Sequence, residues 1–150
     1  MKVAVIGASD NPGRYSYMAI MLLKEKGHAV FPVHPKLKEV EGIKVYPSVK
    51  DIPERMDTLS LYVSEDLSNK IKEDLLSASP RRIIFNPGAE NPALEAAARE
   101  KGIETLEACT MVMLRTNQFS PCFEAFRYSR FILEMNPTLM SLGQTASHSY

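Results

Sequence analysis

The segment "KVAVI", residues 2 to 6, is a short β-branched run with almost no polar interruption, the pattern of a strand buried on both faces. After it, Tyr15, Met18, Ala19, Leu22 and Leu23 recur at i, i+3, i+4, i+7 and i+8, which predicts a helix with one apolar stripe. Gly27 stands where such a helix takes a left-handed end. "HAVFPV", 28 to 33, predicts a second strand, and a brief third one falls near 43 to 46. Ser48 then caps a single turn, with Asp51 at capping-box spacing. "TLSLYV", 58 to 63, predicts a fourth strand, and Ser64 caps a helix whose Leu67, Ile71 and Leu75 face inward. "RRIIFN", 81 to 86, predicts a fifth strand. Asn91 and Pro92 take the cap and first positions of a helix running to Gly102. A short strand near 103 to 106 and a helix from about 110 to 115 complete the series.

Strands alternating with helices at this spacing predict an α/β fold, with a doubly wound, mostly parallel sheet in three layers. In such sheets ligands bind beyond the carboxyl ends of the strands, near the switch in strand order. The loops to watch therefore start at Gly7, Val33, Val63 and Asn86. The pattern changes near the end of the chain. Ser120-Pro121 predicts a helix to about Met135, stopped by Asn136-Pro137. Its Phe123, Phe126, Phe131, Ile132, Leu133 and Met135 point to several sides. The expected division is a domain over 1–118 and an extension over 119–150, whose order the composition leaves open.

Composition narrows the function classes. With 150 residues, 45% hydrophobic and 24% charged, the chain suits one ordinary globular domain. The formal net charge is zero, so no global field recruits nucleic acid or an acidic membrane, and any anion site must be local. Cys109 and Cys122 make no disulfide framework, and a reduced, cytoplasmic setting is expected. A strand begins at once, so no leader is expected, and no apolar run approaches the ~20 residues of a membrane span. His28, His34 and His148 form no metal-ligand spacing with either cysteine. Neither G-x-x-x-x-G-K-[ST] nor G-x-S-x-G occurs.

The first loop, "GASDNPGR", departs from the G-x-G-x-x-G of dinucleotide sites: counting from Gly7, Ser9 and Pro12 stand where its second and third glycines would. A strand, a tight turn and a helix start still gather backbone N–H groups that suit an anion. Ser9 adds a hydroxyl donor and Arg14 a bidentate phosphate fork. At the end of the second strand an NAD site usually carries a carboxylate for the ribose, whereas "VHPK" offers His34 and Lys36. A cation there suits a phosphate on the ribose, as in NADP or in the 3′-phosphate of coenzyme A. In "FNPGAENP" Gly88 permits an unusual backbone angle, and such a loop serves a ligand or is a plain connection. Cys109 on the same rim is a reactive thiol or a small hydrophobe.

The stretches "VAVIGASDNPGRYSY", "VFPVHPK", "YPSVKDIPERMDTLSLYV" and "NPGAENPALEAAAREKGIETLEACTM" resemble the small stand-alone CoA-binding domain proteins. These are similar to the N-terminal domain of the succinyl-CoA synthetase α subunit. The likeness covers residues 1 to about 118. It implies a Rossmann-like fold that binds the ADP part of coenzyme A. Gly7, Ala8, Ser9 and Arg14 would contact the diphosphate, and Lys36 the 3′-phosphate and ribose. Val63 and Ser64 would lie by the adenine or ribose, and Asn86, Pro87 and Gly88 along the pantetheine channel. His34 departs from the Asn or Ser of many relatives. The synthetase's phosphohistidine lies in a second domain that this chain has no room for. The expected function is therefore non-catalytic binding of coenzyme A or an acyl-CoA, reported to a partner protein or a second copy. An NADP-dependent oxidoreductase and an interaction protein with a vestigial pocket are the alternatives.

Overall fold

The computed structural model describes residues 1–120, of which Met1–Phe119 form one compact unit. Residues 121–150, which include Cys122 and all of the helix expected from Ser120 but its first residue, lie outside the described residues. Five parallel strands make the main sheet, in the order β2-β1-β5-β6-β7: β1 (Lys2–Ile6), β2 (Ala29–Val33), β5 (Thr58–Leu61), β6 (Arg82–Phe85) and β7 (Glu104–Glu107). Two-residue strands β3 (Glu39–Val40) and β4 (Ile43–Lys44) form a separate antiparallel hairpin. The third strand expected near 43 to 46 thus stays out of the main sheet. Only Tyr46 reaches it, through a single parallel bridge to Val33.

Side chains alternate across the pleat, so each central strand feeds two cores. Val3 and Val5 of β1 join Ile20, Leu23, Ile84 and Leu114, beneath α1 (Tyr15–Glu25) and α5 (Thr110–Arg115). Ala4 and Ile6 join Leu59, Leu61, Leu75, Phe85 and Leu94, beneath α3 (Lys72–Ser77) and α4 (Pro92–Glu100). The result is a three-layer α/β/α arrangement. Asn91 caps α4 as expected, its side chain accepting from Leu94 N at 3.0 Å while its amide donates to Ser68 Oγ and Asn69 Oδ1, both at 2.8 Å. That ties α4 to α2 (Glu65–Lys70).

Two helices differ from expectation. The buried stripe of α1 is Ser16, Ala19, Ile20 and Leu23, while Tyr15 is 69% exposed and Met18 is also exposed. The helix expected from Ser64 through Leu75 breaks at Ile71 into α2 and α3, and Leu67 is exposed rather than inward. At the amino ends of the strands Arg82 is buried. It donates to Thr58 Oγ1 at 2.8 Å and to the Phe119 carbonyl at 2.6 Å, with the Phe119 ring 4.6 Å away. Phe119 is itself buried and packs on His28, so the folded unit takes in that residue.

Candidate functional site

The chain runs from β1 out to β2 on one side, then returns to β5 on the other. Their carboxyl ends therefore send loops toward opposite faces, which opens a crevice. Gly7 sits at this point with φ +87°, and a Cβ there would lie 2.8 Å from Val63 Cγ1 and 3.1 Å from the Tyr62 carbonyl oxygen. The turn after β1 and the exit of β5 approach as closely as only glycine allows.

The loop's backbone donors are partly committed elsewhere. The N–H groups of Gly7 and Ala8 both donate to the Val33 carbonyl at 3.1 Å, binding the loop to the end of β2. Ser9 Oγ accepts from Asn11 N at 3.1 Å, and Asn11 Oδ1 from Gly13 N at 2.9 Å. Gly7 and Ala8 therefore shape the loop rather than offer it their own amides. What remains for an anion is Ser9, Arg14 and the start of α1. Arg14 occupies the N-cap without making a side-chain cap, and first-turn N–H groups have no intrahelical acceptor.

A cleft of about 520 Å³ opens here. Its walls include Gly7, Ala8, Ser9, Arg14, His34, Val63, Ser64, Pro87 and Gly88, all expected from the sequence, together with Tyr15, Ser16, Tyr62, Leu67 and Ala89. A second, mostly apolar cleft of about 340 Å³ shares Gly7, His34, Val63 and Leu67 with it and extends past Pro35, Val49 and Leu75. Lys50 and Asp74, ion-paired at 3.5 Å, also line this second cleft. The two clefts make one crevice, polar at the α1 end and apolar at the other.

Two expected residues fall elsewhere. Asn86 lines neither of these clefts; it is buried, with its amide donating to Ser60 Oγ at 2.9 Å and the Leu61 carbonyl at 3.0 Å. Its Oδ1 accepts from Thr110 N at 2.8 Å, so every polar group of this side chain is used inside the scaffold. Lys36 is exposed on the turn after β2 and lines neither cleft; its N–H donates to His34 Nδ1 at 3.0 Å. Cys109, half-buried at the N-cap of α5, also lines neither cleft.

Sequence reasoning missed Lys50 and Tyr62. Lys50 belongs to the turn capped by Ser48 and comes to the crevice because Tyr46 pairs with Val33, a contact no periodicity announces. Tyr62 directly follows β5, and that place beyond a strand's carboxyl end was the available signal. Its hydroxyl is buried beside Ser60 and Thr110, which bond to each other at 2.8 Å and leave it without a partner of good geometry. Burial pushes it up to about 12, so it stays protonated at neutral pH.

Residues 1–115 match the CoA binding domain family. The chain belongs to that family. Among curated relatives of this CoA-binding domain, the alpha subunit of the ADP-forming acetate–CoA ligase II of Pyrococcus furiosus is 35% identical over 104 residues, covering 66% of this chain and 22% of the subunit. The chain thus spans about a fifth of that relative. An uncharacterized protein of Bacillus subtilis is 27% identical over 101 residues, covering 67% of this chain and 75% of its own. A solved crystal structure of an uncharacterized protein is 38% identical with a TM-score of 0.70, covering 79% of this chain and 97% of that one. The CoA-binding domain is thereby related to acyl-CoA ligase subunits, as the resemblance implied. Among the described residues, no helix is long and apolar enough to cross a membrane.

Proposed function

We propose that the crevice between β1 and β5 binds coenzyme A or an acyl-CoA without transforming it. The observation that carries this reading is the crevice's two-part chemistry. The polar end brings Ser9, Arg14 and the start of α1 together, which suits a diphosphate. The apolar end is walled by Val33, Pro35, Val49 and Leu75, which suits a flat base, with Lys50 beside it for a ribose phosphate. Pro87 and Gly88 also line the polar cleft and would face the pantetheine arm. Membership of the CoA-binding family and likeness to a ligase subunit favour coenzyme A over NADP.

The groups lining the crevice also support a binding role. Lys50 and Asp74 are paired with each other, and Cys109 lies outside both clefts. The module would work in a reducing cytoplasm and report its ligand to a partner protein or a second copy. Arg14→Ala tests the diphosphate contact. Affinity for coenzyme A should fall by about 1.5–3 kcal/mol, the range for a charged hydrogen bond. An unchanged dissociation constant removes Arg14 from the site.

A further inference from the structure

We infer that Ser16 is a specificity-determining residue of the crevice, whose hydroxyl and backbone N–H together take a phosphate group and so select a phosphorylated ligand. Its readout with coenzyme A rests on the reading above; its readouts with ADP and inorganic diphosphate do not.

Ser16 breaks the pattern of the helix it belongs to. It shares the buried stripe of α1 with Ala19, Ile20 and Leu23, so one hydroxyl stands among apolar side chains. Ser16 is only 5% exposed, and its hydroxyl has no hydrogen-bond partner among the described residues. Taking a hydroxyl out of water without a bond is unfavourable, and alanine is the better helix former at such a position. The folded chain alone therefore gives no reason for serine here, and a residue that breaks a local rule in this way points to function. Nor is the hydroxyl sealed away. Among the described residues, the side-chain polar atom that is both sealed and unpartnered is the Tyr62 hydroxyl. Ser16 instead lines the polar cleft, and what remains accessible of it opens there.

The backbone around Ser16 is open in the same way. Ser16 is the second residue of α1, and Met18 N donates to the Arg14 carbonyl at 3.1 Å. The N–H groups of Tyr15, Ser16 and Tyr17 therefore precede the first acceptor within the helix. Arg14 makes no side-chain cap, and no acidic residue stands in the first turn. In α2 and α4, by contrast, Ser64 and Asn91 cap the start, and Glu65, Asp66 and Glu95 bring negative charge to it. The positive end of α1 is left to a group from outside the chain. The Gly7 and Ala8 amides are spent on the Val33 carbonyl, so the free donors gather at Ser16 rather than on the glycine turn. A phosphate here accepts from the Ser16 hydroxyl and from first-turn N–H groups together, while Arg14, on the wall of the same cleft, balances its charge.

The test compares wild type, Ser16→Ala and Ser16→Asp by thermal unfolding without ligand and by calorimetric titration with coenzyme A, ADP and inorganic diphosphate. The hydroxyl has no partner to lose, so Ser16→Ala should melt at the wild-type temperature or slightly above it. Its affinity for coenzyme A and for ADP should fall by about tenfold to a hundredfold, the scale of a hydrogen bond to a charged group. Inorganic diphosphate should bind wild type weakly and Ser16→Ala not detectably. Ser16→Asp sets a negative charge where the helix favours one but the ligand does not, so it should stay folded and bind none of the three. Unchanged affinities in Ser16→Ala would overturn the inference and leave the coenzyme A reading standing. A melting temperature lowered by more than about 3 °C in Ser16→Ala would make the hydroxyl part of the scaffold and also overturn it. If wild type ignores coenzyme A but binds ADP or diphosphate, and Ser16→Ala weakens that binding, the role of Ser16 stands and the coenzyme A reading falls. If wild type binds none of the three, both fall.

Discussion

Removing the Asn86 side chain should damage the fold far more than the ligand site. Three hydrogen bonds disappear in Asn86→Ala: those to Ser60 Oγ and the Leu61 carbonyl, and the one from Thr110 N. Their partners are not equally stranded. Ser60 Oγ keeps Thr110 Oγ1 at 2.8 Å, and the Leu61 carbonyl keeps Asn86 N at 3.3 Å. Thr110 N, at the first position of α5, loses its acceptor in a buried place. One orphaned donor costs about 1–3 kcal/mol and two lost but replaceable bonds about 0.5–1.5 kcal/mol each, so the sum is about 2–6 kcal/mol. At about 4 °C per kcal/mol for a domain of this size, the melting temperature should drop by about 8–24 °C. Asn86→Asp should be worse at neutral pH, because it sets a buried carboxylate against the Leu61 carbonyl. Thermal unfolding and calorimetric binding on the same preparations decide the matter. A melting change below about 3 °C with a tenfold loss of coenzyme A affinity would refute the scaffold role and restore Asn86 to the ligand channel.

Gly7→Ala should destabilise by about 2–4 kcal/mol, combining a left-handed backbone penalty with a Cβ driven to 2.8 Å from Val63 Cγ1; chemical denaturation that shows under about 0.5 kcal/mol would contradict the close approach. Lys50→Ala should weaken coenzyme A by about tenfold and leave dephospho-coenzyme A nearly unchanged, whereas Lys36→Ala should do less, because Lys50 lines the apolar cleft and Lys36 does not. Parallel titrations in which Lys36→Ala shows the larger ligand difference would reverse the assignment. His28 is held below its ordinary value by burial, then by the amino terminus and Arg82, so the unfolded chain takes up the proton more readily than the folded one. Stability should therefore fall as pH drops below about 6.5, and His28→Gln should flatten that part of the profile of melting temperature against pH; identical slopes in both proteins would count against it.

The alternation of β-branched runs with capped helices made the α/β order readable, because each strand and each cap is a local feature. The phase of α1 was not readable: "YSYMAIMLL" is apolar on nearly every side, and burial of Ser16 and Ile20 against the sheet is decided by packing. Gly7 and Val63 follow β1 and β5, which flank the switch in strand order, Gly88 follows the neighbouring β6, and all three line the polar cleft, as position relative to strand ends suggested. Asn86 also stands at a strand end, but its side chain turns inward and joins β5 to α5, which the rule does not announce. Lys50 escaped for the opposite reason. It arrives through Tyr46 pairing with Val33, a contact between residues far enough apart that only the folded chain reveals it. Commitment of the Gly7 and Ala8 amides to the Val33 carbonyl is likewise a long-range fact that no local pattern announces.

Calorimetric titration of the full chain with coenzyme A, dephospho-coenzyme A, NADP and NAD in parallel tests the central claim most directly. Micromolar binding of coenzyme A, weakened without the 3′-phosphate and absent for NAD, is the predicted result. Preference for NADP, or no heat with any of the four, would contradict it.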